Sequence, residues 1–568
     1  MARIFVIIAS LVCSLCASAQ VSPAFSDDLY LKALWMSTRF YGAQRSGFGP
    51  NWLIAEHSAS FSGYEGGKSF SKDADGSYDL SGGWFDCGDF AKFGQTQFYA
   101  CYLLLLGYSE FPSGYPDLYS ADFHGYVKAK DYSFESAKGV PNGIPDVLDE
   151  CKYATDFFLK CIAAKNKFYY QVGNGNYDHQ QWNTSVFRSA NVNVVNGGEA
   201  DGSRPVFSVS QGATSMVALC GASLAAMSRL YAPFDADYAQ SCLSKAKLCA
   251  EFVENGSKYN IADAQGSAEF YPAKPDYFAD LVILYSELYL ASQSGSYKSL
   301  AESYFAQMPS DHGYSICYNN TNDLADYLLF KVSASSTALA QLKKYAEAYQ
   351  GSNYLLNVRG DATWGALRYC AAQAFVHALY SKAVNASSVD PYTLRTVDFI
   401  LGDNDNKFSY VTGFGDNYPV YPHFRNVYQN DQNVMSSCLL PSKFAQLGLM
   451  IGGYRDNSVY PNNDVNDYTR GEGGIDYNAG LVGALGYLNS FFNAQTASSR
   501  HVCSKAGVSF DGHYVSVDSP SPVSIEVYSL TGLQVLKCQS CNSLSLDNLP
   551  SGIYVVKAGI AVSRVTKR

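Results

Sequence analysis

The chain has 568 residues, of which 47% are hydrophobic and 16% charged, enough apolar content for a large folded core and too much for a disordered polymer. Its formal net charge of -10 disfavours nucleic acid and anionic membrane surfaces as partners and is compatible with a neutral ligand. Aromatic residues make up 15% of the chain, with 45 tyrosines; rings with polar tips suit sugars, whose C–H faces stack while their hydroxyls seek hydrogen bonds, and they equally suit helix–helix contacts.

Residues 1–19 read as a signal peptide: Arg3, an apolar run, then Ala17-Ser18-Ala19 ahead of the expected cleavage. The run is shorter than the roughly 20 residues a membrane span needs, and no other segment is apolar enough to span a bilayer. The expected location is secreted or at the cell surface. Of the 15 cysteines, Cys13 and Cys16 leave with the signal, and the odd remainder means at least one thiol stays unpaired or pairs between chains. Cys101, Cys151, Cys161 and Cys220 fall within helical patterns as small buried residues. Cys538 and Cys541 are the only close pair, a local disulfide or two idle thiols; a zinc site there lacks further ligands.

Between residues 24 and 494 apolar residues recur at three- and four-residue steps, which predicts helices at 144–162, 213–231, 236–253, 276–292, 337–348, 363–380, 391–401 and 475–493. Another apolar run begins near Phe90. Long loops rich in Gly, Asn, Asp and Tyr separate the helices, and such loops are uncommon unless functional. The expectation is a mainly α catalytic unit whose loops build a site on one face. After residue 494 the pattern changes. Residues 495–504 read as a linker, and 505–568 as a small all-β sandwich of short alternating runs such as Val523–Tyr528 and Gly552–Lys557.

The chemistry concentrates in loops. Ser81-Gly82-Gly83-Trp84-Phe85-Asp86-Cys87-Gly88-Asp89 places two carboxylates three residues apart among glycines and aromatics. Asp89 stands near a helix start, and an N-cap role would account for one aspartate but not for two behind Gly82-Gly83-Trp84. Glu472 lies in Tyr468-Thr469-Arg470-Gly471-Glu472-Gly473-Gly474-Ile475-Asp476-Tyr477-Asn478-Ala479, where its glycine neighbours leave it bare, although a capping role is also open. Two acidic groups across an aromatic cleft are what glycosidic-bond hydrolysis needs. Loops 408–425 and 170–182 add His423, Arg425, His179 and Trp182. No HxH or HExxH spacing exists, so no metal centre is expected.

Taken together, these segments resemble glycoside hydrolase family 9. The resemblance runs from Phe40-Tyr41-Gly42-Ala43-Gln44-Arg45-Ser46-Gly47 through 82–89, Asn142–Glu150, 175–182, Trp364–Tyr369, Ile400–Asn404 and 409–425 to Glu472–Ala479, in order, over roughly 24–494. It implies an (α/α)6 barrel and a secreted endo-β-1,4-glucanase, a cellulase acting with inversion on β-1,4-glucan or cello-oligosaccharides, without cofactor and as a monomer. An exo-acting cellodextrinase or cellobiohydrolase, or a non-catalytic surface glucan-binding protein, is the alternative. The implied roles are Asp89 as general base, Asp86 as its water-holding partner and Glu472 as general acid. His179, Trp182, Tyr271, Trp364, Arg368, Tyr369, His423 and Arg425 match sugar-contacting positions. The chain departs from the pattern at Cys87 (usually Ala), Phe90 (usually His), Tyr418 and Phe424. It also carries Ala279-Asp280 where many members have an Asp-Glu pair of a calcium site, which puts a structural calcium in doubt.

The tail resembles the C-terminal sorting domains of the type IX secretion system, on Val527-Tyr528-Ser529-Leu530-Thr531-Gly532 and Leu549-Pro550-Ser551-Gly552-Ile553-Tyr554-Val555-Val556-Lys557. That implies secretion machinery as a partner and export through periplasm and outer membrane. A carbohydrate-binding module is the competing reading, against which the tail lacks Trp.

Overall fold

The computed structural model describes residues 22–46, 73–118, 141–179, 182, 204–263, 270–348, 364–428, 440–442, 446–455, 458–503, 507–518, 522–529, 533–558 and 561–567. The expected signal peptide and Gly47 of the opening motif lie outside them. Two compact units divide between residues 488 and 489.

In the first unit the long helices are α1 (Asp27–Ala43), α2 (Gly94–Glu110), α3 (Asp146–Cys161), α5 (Thr214–Leu230), α6 (Ala236–Asn255), α7 (Phe278–Ser292), α8 (Gly295–Phe305), α9 (Asn322–Ser333), α10 (Ser336–Ala348), α11 (Ala366–Ala383) and α12 (Pro391–Leu401), with the short α4 (Gly175–His179) and α13 (Tyr468–Gly471) on loops; α14 (Ile475–Cys503) begins here and runs past residue 488. They fall into two kinds. Helices α2, α5, α7 and α11 are apolar nearly all round and buried along most of their length, as a helix enclosed by others must be. Helices α6 and α8 bury only a stripe, Ala301 alone in the case of α8. Packing proceeds from neighbour to neighbour: α2 against α3 and α5, α5 against α6 and α7, α7 against α8 and α9, α9 against α10 and α11, and α11 against α12.

Local chemistry sets the ends. Asp390 caps α12 by accepting the Thr393 N–H at 2.7 Å, with Pro391 in the first turn; removing such a cap costs about 1 kcal/mol. Arg45, just after α1, makes a buried two-point ion pair with Glu150 on α3 (3.1 and 2.5 Å). The apolar run after Asp89 becomes helical only at Gly94, with Phe93 as N-cap, so Asp89 is not a cap. Between them a small antiparallel sheet forms, in which β3 (Lys167–Val172) pairs with β1 (Lys92–Phe93), β2 (Ile162–Ala164) and β4 (Val206–Val209). The Lys92–Val172 register seats the Asp86–Asp89 loop beside the loop that carries His179.

The second unit contains two antiparallel sheets, β9 (Ser543–Ser545), β6 (Tyr514–Asp518) and β5 (Gly507–Phe510) in one, and β8 (Gln534–Cys541), β7 (Val523–Ser529), β10 (Gly552–Ala558) and β11 (Ala561–Lys567) in the other. Val515, Val517, Ile525, Val527, Leu546, Tyr554, Val556 and Val565 share one core, and the buried Ile525 and Val527 show the two-residue period of a one-sided strand. Cys538 and Cys541 are disulfide-bonded. The stretch expected as a linker is helical instead: α14 runs through Cys503. Residues 494–503 contain neither Gly nor Pro, so nothing breaks the helix that residue 475 begins.

Candidate active site

Two glycines shape the first acidic loop. Gly83 has a φ of +76°, and a Cβ there would meet Gln97 Oε1 at 2.5 Å and the Phe157 ring at 2.7 Å. That same Gln97 oxygen accepts the Trp84 N–H at 2.8 Å. A Cβ on Gly88 would stand 2.6 Å from the His423 carbonyl oxygen, so loop 86–89 and loop 420–425 meet backbone to backbone. The Asp86 N–H donates to Ala91 O at 3.1 Å, closing the loop on itself, and the Ile475 N–H donates to Asp86 O at 3.0 Å. That last bond brings the two acidic boxes together from opposite ends of the unit.

A cavity of about 590 Å³ opens at this junction, within the usual range of ligand sites. Asp86, Asp89 and Glu472 all line it, with Cys87, His179, Phe270, Tyr271, Pro272, Tyr318, Trp364, Arg368, His423, Tyr468 and Tyr477. Asp86 is buried and accepts from Thr96 on one oxygen and Tyr271 on the other; the Cys87 thiol lies 3.4 Å from the latter oxygen. Asp89 accepts the Ala91 N–H at 2.8 Å and faces His179 Nε2 at 3.9 Å.

Electrostatics separates the three acids. Burial, then Asp89 and Asp476, push Asp86 well above the ordinary carboxylate range, against the pull of Thr96 and Tyr271. Burial also raises Asp89, with a smaller push from Asp178, but His179 and Arg425 oppose it. Burial, then Asp89 and Asp86, push Glu472 well up, with the Gly88 backbone and Arg425 only partly opposing. The site therefore favours a neutral Glu472 beside an aspartate pair whose charge rests more readily on Asp89.

The predicted sugar contacts divide. His179, Tyr271, Trp364, Arg368 and His423 line the cavity. Trp364 is 40% exposed and lies 5.1 Å from Tyr468, ring to ring, so it offers a free face for stacking. His423 Nδ1 is engaged by Val465 O at 2.7 Å, and burial lowers this histidine to about 4; a neutral ring with Nδ1–H donating leaves Nε2 as an acceptor. The Tyr271 hydroxyl is committed to Asp86. Arg368 packs over the Tyr369 and Tyr477 rings and meets Asp476 at 3.4 Å.

Three predicted contacts are not among the lining residues. Arg425 is buried, donating to Gly88 O at 2.8 Å and to the Asp178 carbonyl at 3.0 Å and pairing with the Asp178 carboxylate, so it is a clamp behind Asp89. Tyr369 is buried and receives Arg368 at 2.7 Å. Trp182 lies against His423, ring centroids 4.9 Å apart and planes tilted by 54°. Arg204 supports the same loop from another side, donating to Phe90 O at 2.5 Å while pairing with Asp73. Sequence reasoning did not single out Phe270, Pro272, Tyr468 or Tyr477, or the Thr96 donor; only Tyr468 and Tyr477 carried a signal, being within the Glu472 box.

The calcium expectation is tested by the residues around Asp280. Lys274 Nζ donates to both Asp280 oxygens, at 2.8 and 2.7 Å, and Thr321 Oγ1 donates to the same carboxylate at 2.7 Å. A tethered ammonium already neutralises this carboxylate, so these residues do not fit a calcium ion. Among the described residues no helix is long and apolar enough to cross a membrane.

The model of glycosyl hydrolase family 9 matches residues 30–485. Endoglucanase A of Fibrobacter succinogenes is 31% identical over 439 residues, covering 73% of this chain and 90% of that protein. Endoglucanase 4 of Bacillus sp. (strain KSM-522) is 28% identical over 485 residues, covering 81% and 68%. Among solved structures, the endoglucanase of the termite Nasutitermes takasagoensis superposes with a TM-score of 0.64 at 28% identity, covering 82% of this chain and 99% of that one. The cellulase Cel9M of C. cellulolyticum in complex with cellobiose gives 0.64 at 25% identity with the same coverages.

Proposed function

The chain belongs to glycosyl hydrolase family 9, and from that premise we infer an endo-β-1,4-glucanase that hydrolyses internal glucosidic bonds with inversion. The observation that carries this reading is the gathering of Asp86, Asp89 and Glu472 on one aromatic cavity of about 590 Å³. Glu472, kept neutral by burial and the nearby aspartates, gives its proton to the leaving oxygen. Asp89, the aspartate whose charge His179 and Arg425 favour, takes a proton from water, and Asp86 holds that water. Inversion follows because water enters on the face opposite the departing oxygen. Trp364 and Tyr468 supply stacking faces, and Arg368 and His423 supply polar contacts to sugar hydroxyls. The alternation of enclosed and one-sided helices, packed neighbour on neighbour, supports an (α/α)6 barrel as the scaffold.

The test is to incubate the full chain with soluble carboxymethyl-cellulose and follow viscosity and new reducing ends together. A steep viscosity fall with few new ends is expected. Reducing ends that accumulate while viscosity barely moves would replace internal cleavage with an exo action, and no change in either would contradict hydrolysis of this glucan.

Export belongs to the same proposal. The 1–19 segment directs the chain to the periplasm, and the 505–568 unit, on its sorting-type motifs and its all-β build, carries it through the outer membrane by type IX secretion. Removing residues 505–568 should trap the enzyme in the periplasm of its host; undiminished surface activity would reject that role.

A further inference from the structure

Away from the catalytic cavity, His312, Asp323 and Asp326 are all buried and each brings a ligand-type atom within 4.8 Å of the others. His312 Nδ1 stands 2.7 Å from Asp323 Oδ1 and 3.6 Å from Asp326 Oδ2. Asp323 and Asp326 are three residues apart in the first turns of α9, so both project from one side. The His312 ring is fixed by stacking on Tyr345, with centroids 4.2 Å apart and planes within 10°.

Asp326 supplies a separate observation. Its side chain is wholly buried, and among the described residues neither carboxylate oxygen has a hydrogen-bond partner. A buried carboxylate without a donor is costly, and this one points at a histidine and a second acid. Lys274, which borders the same region, is engaged by Asp280 and Thr321. His312 also borders a cavity of about 300 Å³, shared with Asp276, Asp311, Asn320 and Thr321.

We propose that His312, Asp323 and Asp326 bind a divalent transition-metal ion, of the zinc type by their one-nitrogen, two-carboxylate donor set. Zinc takes His nitrogen and carboxylate oxygen at about 2.0–2.2 Å. A cation there replaces the proton that bridges His312 and Asp323 and spreads that pair to about 3.3 Å, the separation of tetrahedral ligands. It also gives the Asp326 oxygens the partner they lack. The site lies outside any sequence motif, because His312 comes from a loop, eleven residues before Asp323 on the helix that holds the two acids. It stands at the base of the loop that carries Tyr318 into the catalytic cavity, since Asn320 Nδ2 donates to His312 O at 2.9 Å.

The experiment strips the full chain with chelator and titrates it with zinc sulfate by calorimetry, recording Tm with and without the ion. One equivalent bound, with a Tm rise of several degrees, is expected for wild type. Asp326→Asn and His312→Gln, checked for folding by circular dichroism, should each lose that equivalent and the Tm rise. X-ray absorption at the zinc edge on wild type should show nitrogen and oxygen neighbours only. No uptake by wild type, uptake retained by either folded variant, or a sulfur shell placing zinc on the cysteines overturns the proposal.

Discussion

Tyr271→Phe removes one hydroxyl and leaves the ring. In the structure that hydroxyl donates to Asp86, whose other oxygen is served by Thr96. Once it is gone, that oxygen keeps the buried Cys87 thiol at 3.4 Å, a weak donor. A hydrogen bond to a charged group contributes about 1.5–3 kcal/mol, so the aspartate pair should titrate higher without it. Tyr271 opposes the burial of Asp86, so its loss raises the pKa, and the acidic limb of kcat/KM, which reports the free enzyme, should move upward by the same amount. The limb belongs to the coupled pair rather than to Asp86 alone. The aromatic face is kept, so KM at the optimum should change little. Initial rates on a soluble cello-oligosaccharide across pH 4–9 measure this. An acidic limb that stays where it is in wild type, with activity within about twofold, would refute the role given to Asp86 and its two hydroxyl donors.

Glu472→Gln keeps size and removes the transferable proton; turnover on substrates with poor leaving groups should fall by about 10²–10⁴-fold while sugar binding persists in calorimetry, and near-normal hydrolysis would remove Glu472 from the acid role. The same variant tests the electrostatics. Glu472 is raised in the fold, so it costs nothing below the unfolded carboxylate pKa, and its penalty grows as pH rises through that range toward the raised value. The Tm advantage of Glu472→Gln over wild type should therefore widen from pH 4 upward; a constant difference would contradict the shift. Gly88→Ala puts a methyl 2.6 Å from the His423 carbonyl oxygen and 3.2 Å from Phe424 Cα. Because both are backbone neighbours, urea denaturation should report a loss of about 1–3 kcal/mol and kcat a fall on the order of 10²-fold from displaced aspartates.

The three carboxylates were legible because glycines and aromatics crowd around them, a local pattern that survives without coordinates. The helices at 144–162, 213–231 and 391–401 were legible from their period and appear at Asp146–Cys161, Thr214–Leu230 and Pro391–Leu401. What the pattern hid is the direction of each side chain. Arg425 reads as a ligand-facing cation, yet the acid that claims it, Asp178, is 247 residues away in sequence, and a buried charge pairs with the nearest buried acid rather than with solvent. Tyr369, in the first turn of α11, and Trp182 read as sugar contacts, yet they lie behind Arg368 and His423. The helix beyond residue 494 escaped notice because its mostly small and polar sequence has no apolar stripe, although it has no breaker either.

The most direct test of the account is the configuration of the first sugar released. Cellopentaose would be mixed with the full chain, and the anomeric protons followed by NMR within the first minutes, before mutarotation. Water activated by Asp89 and a proton from Glu472 predict that the new reducing end appears as the α-anomer and only later equilibrates. Early appearance of the β-anomer would mean that a carboxylate attacks the sugar itself, and would contradict the assignment of these roles.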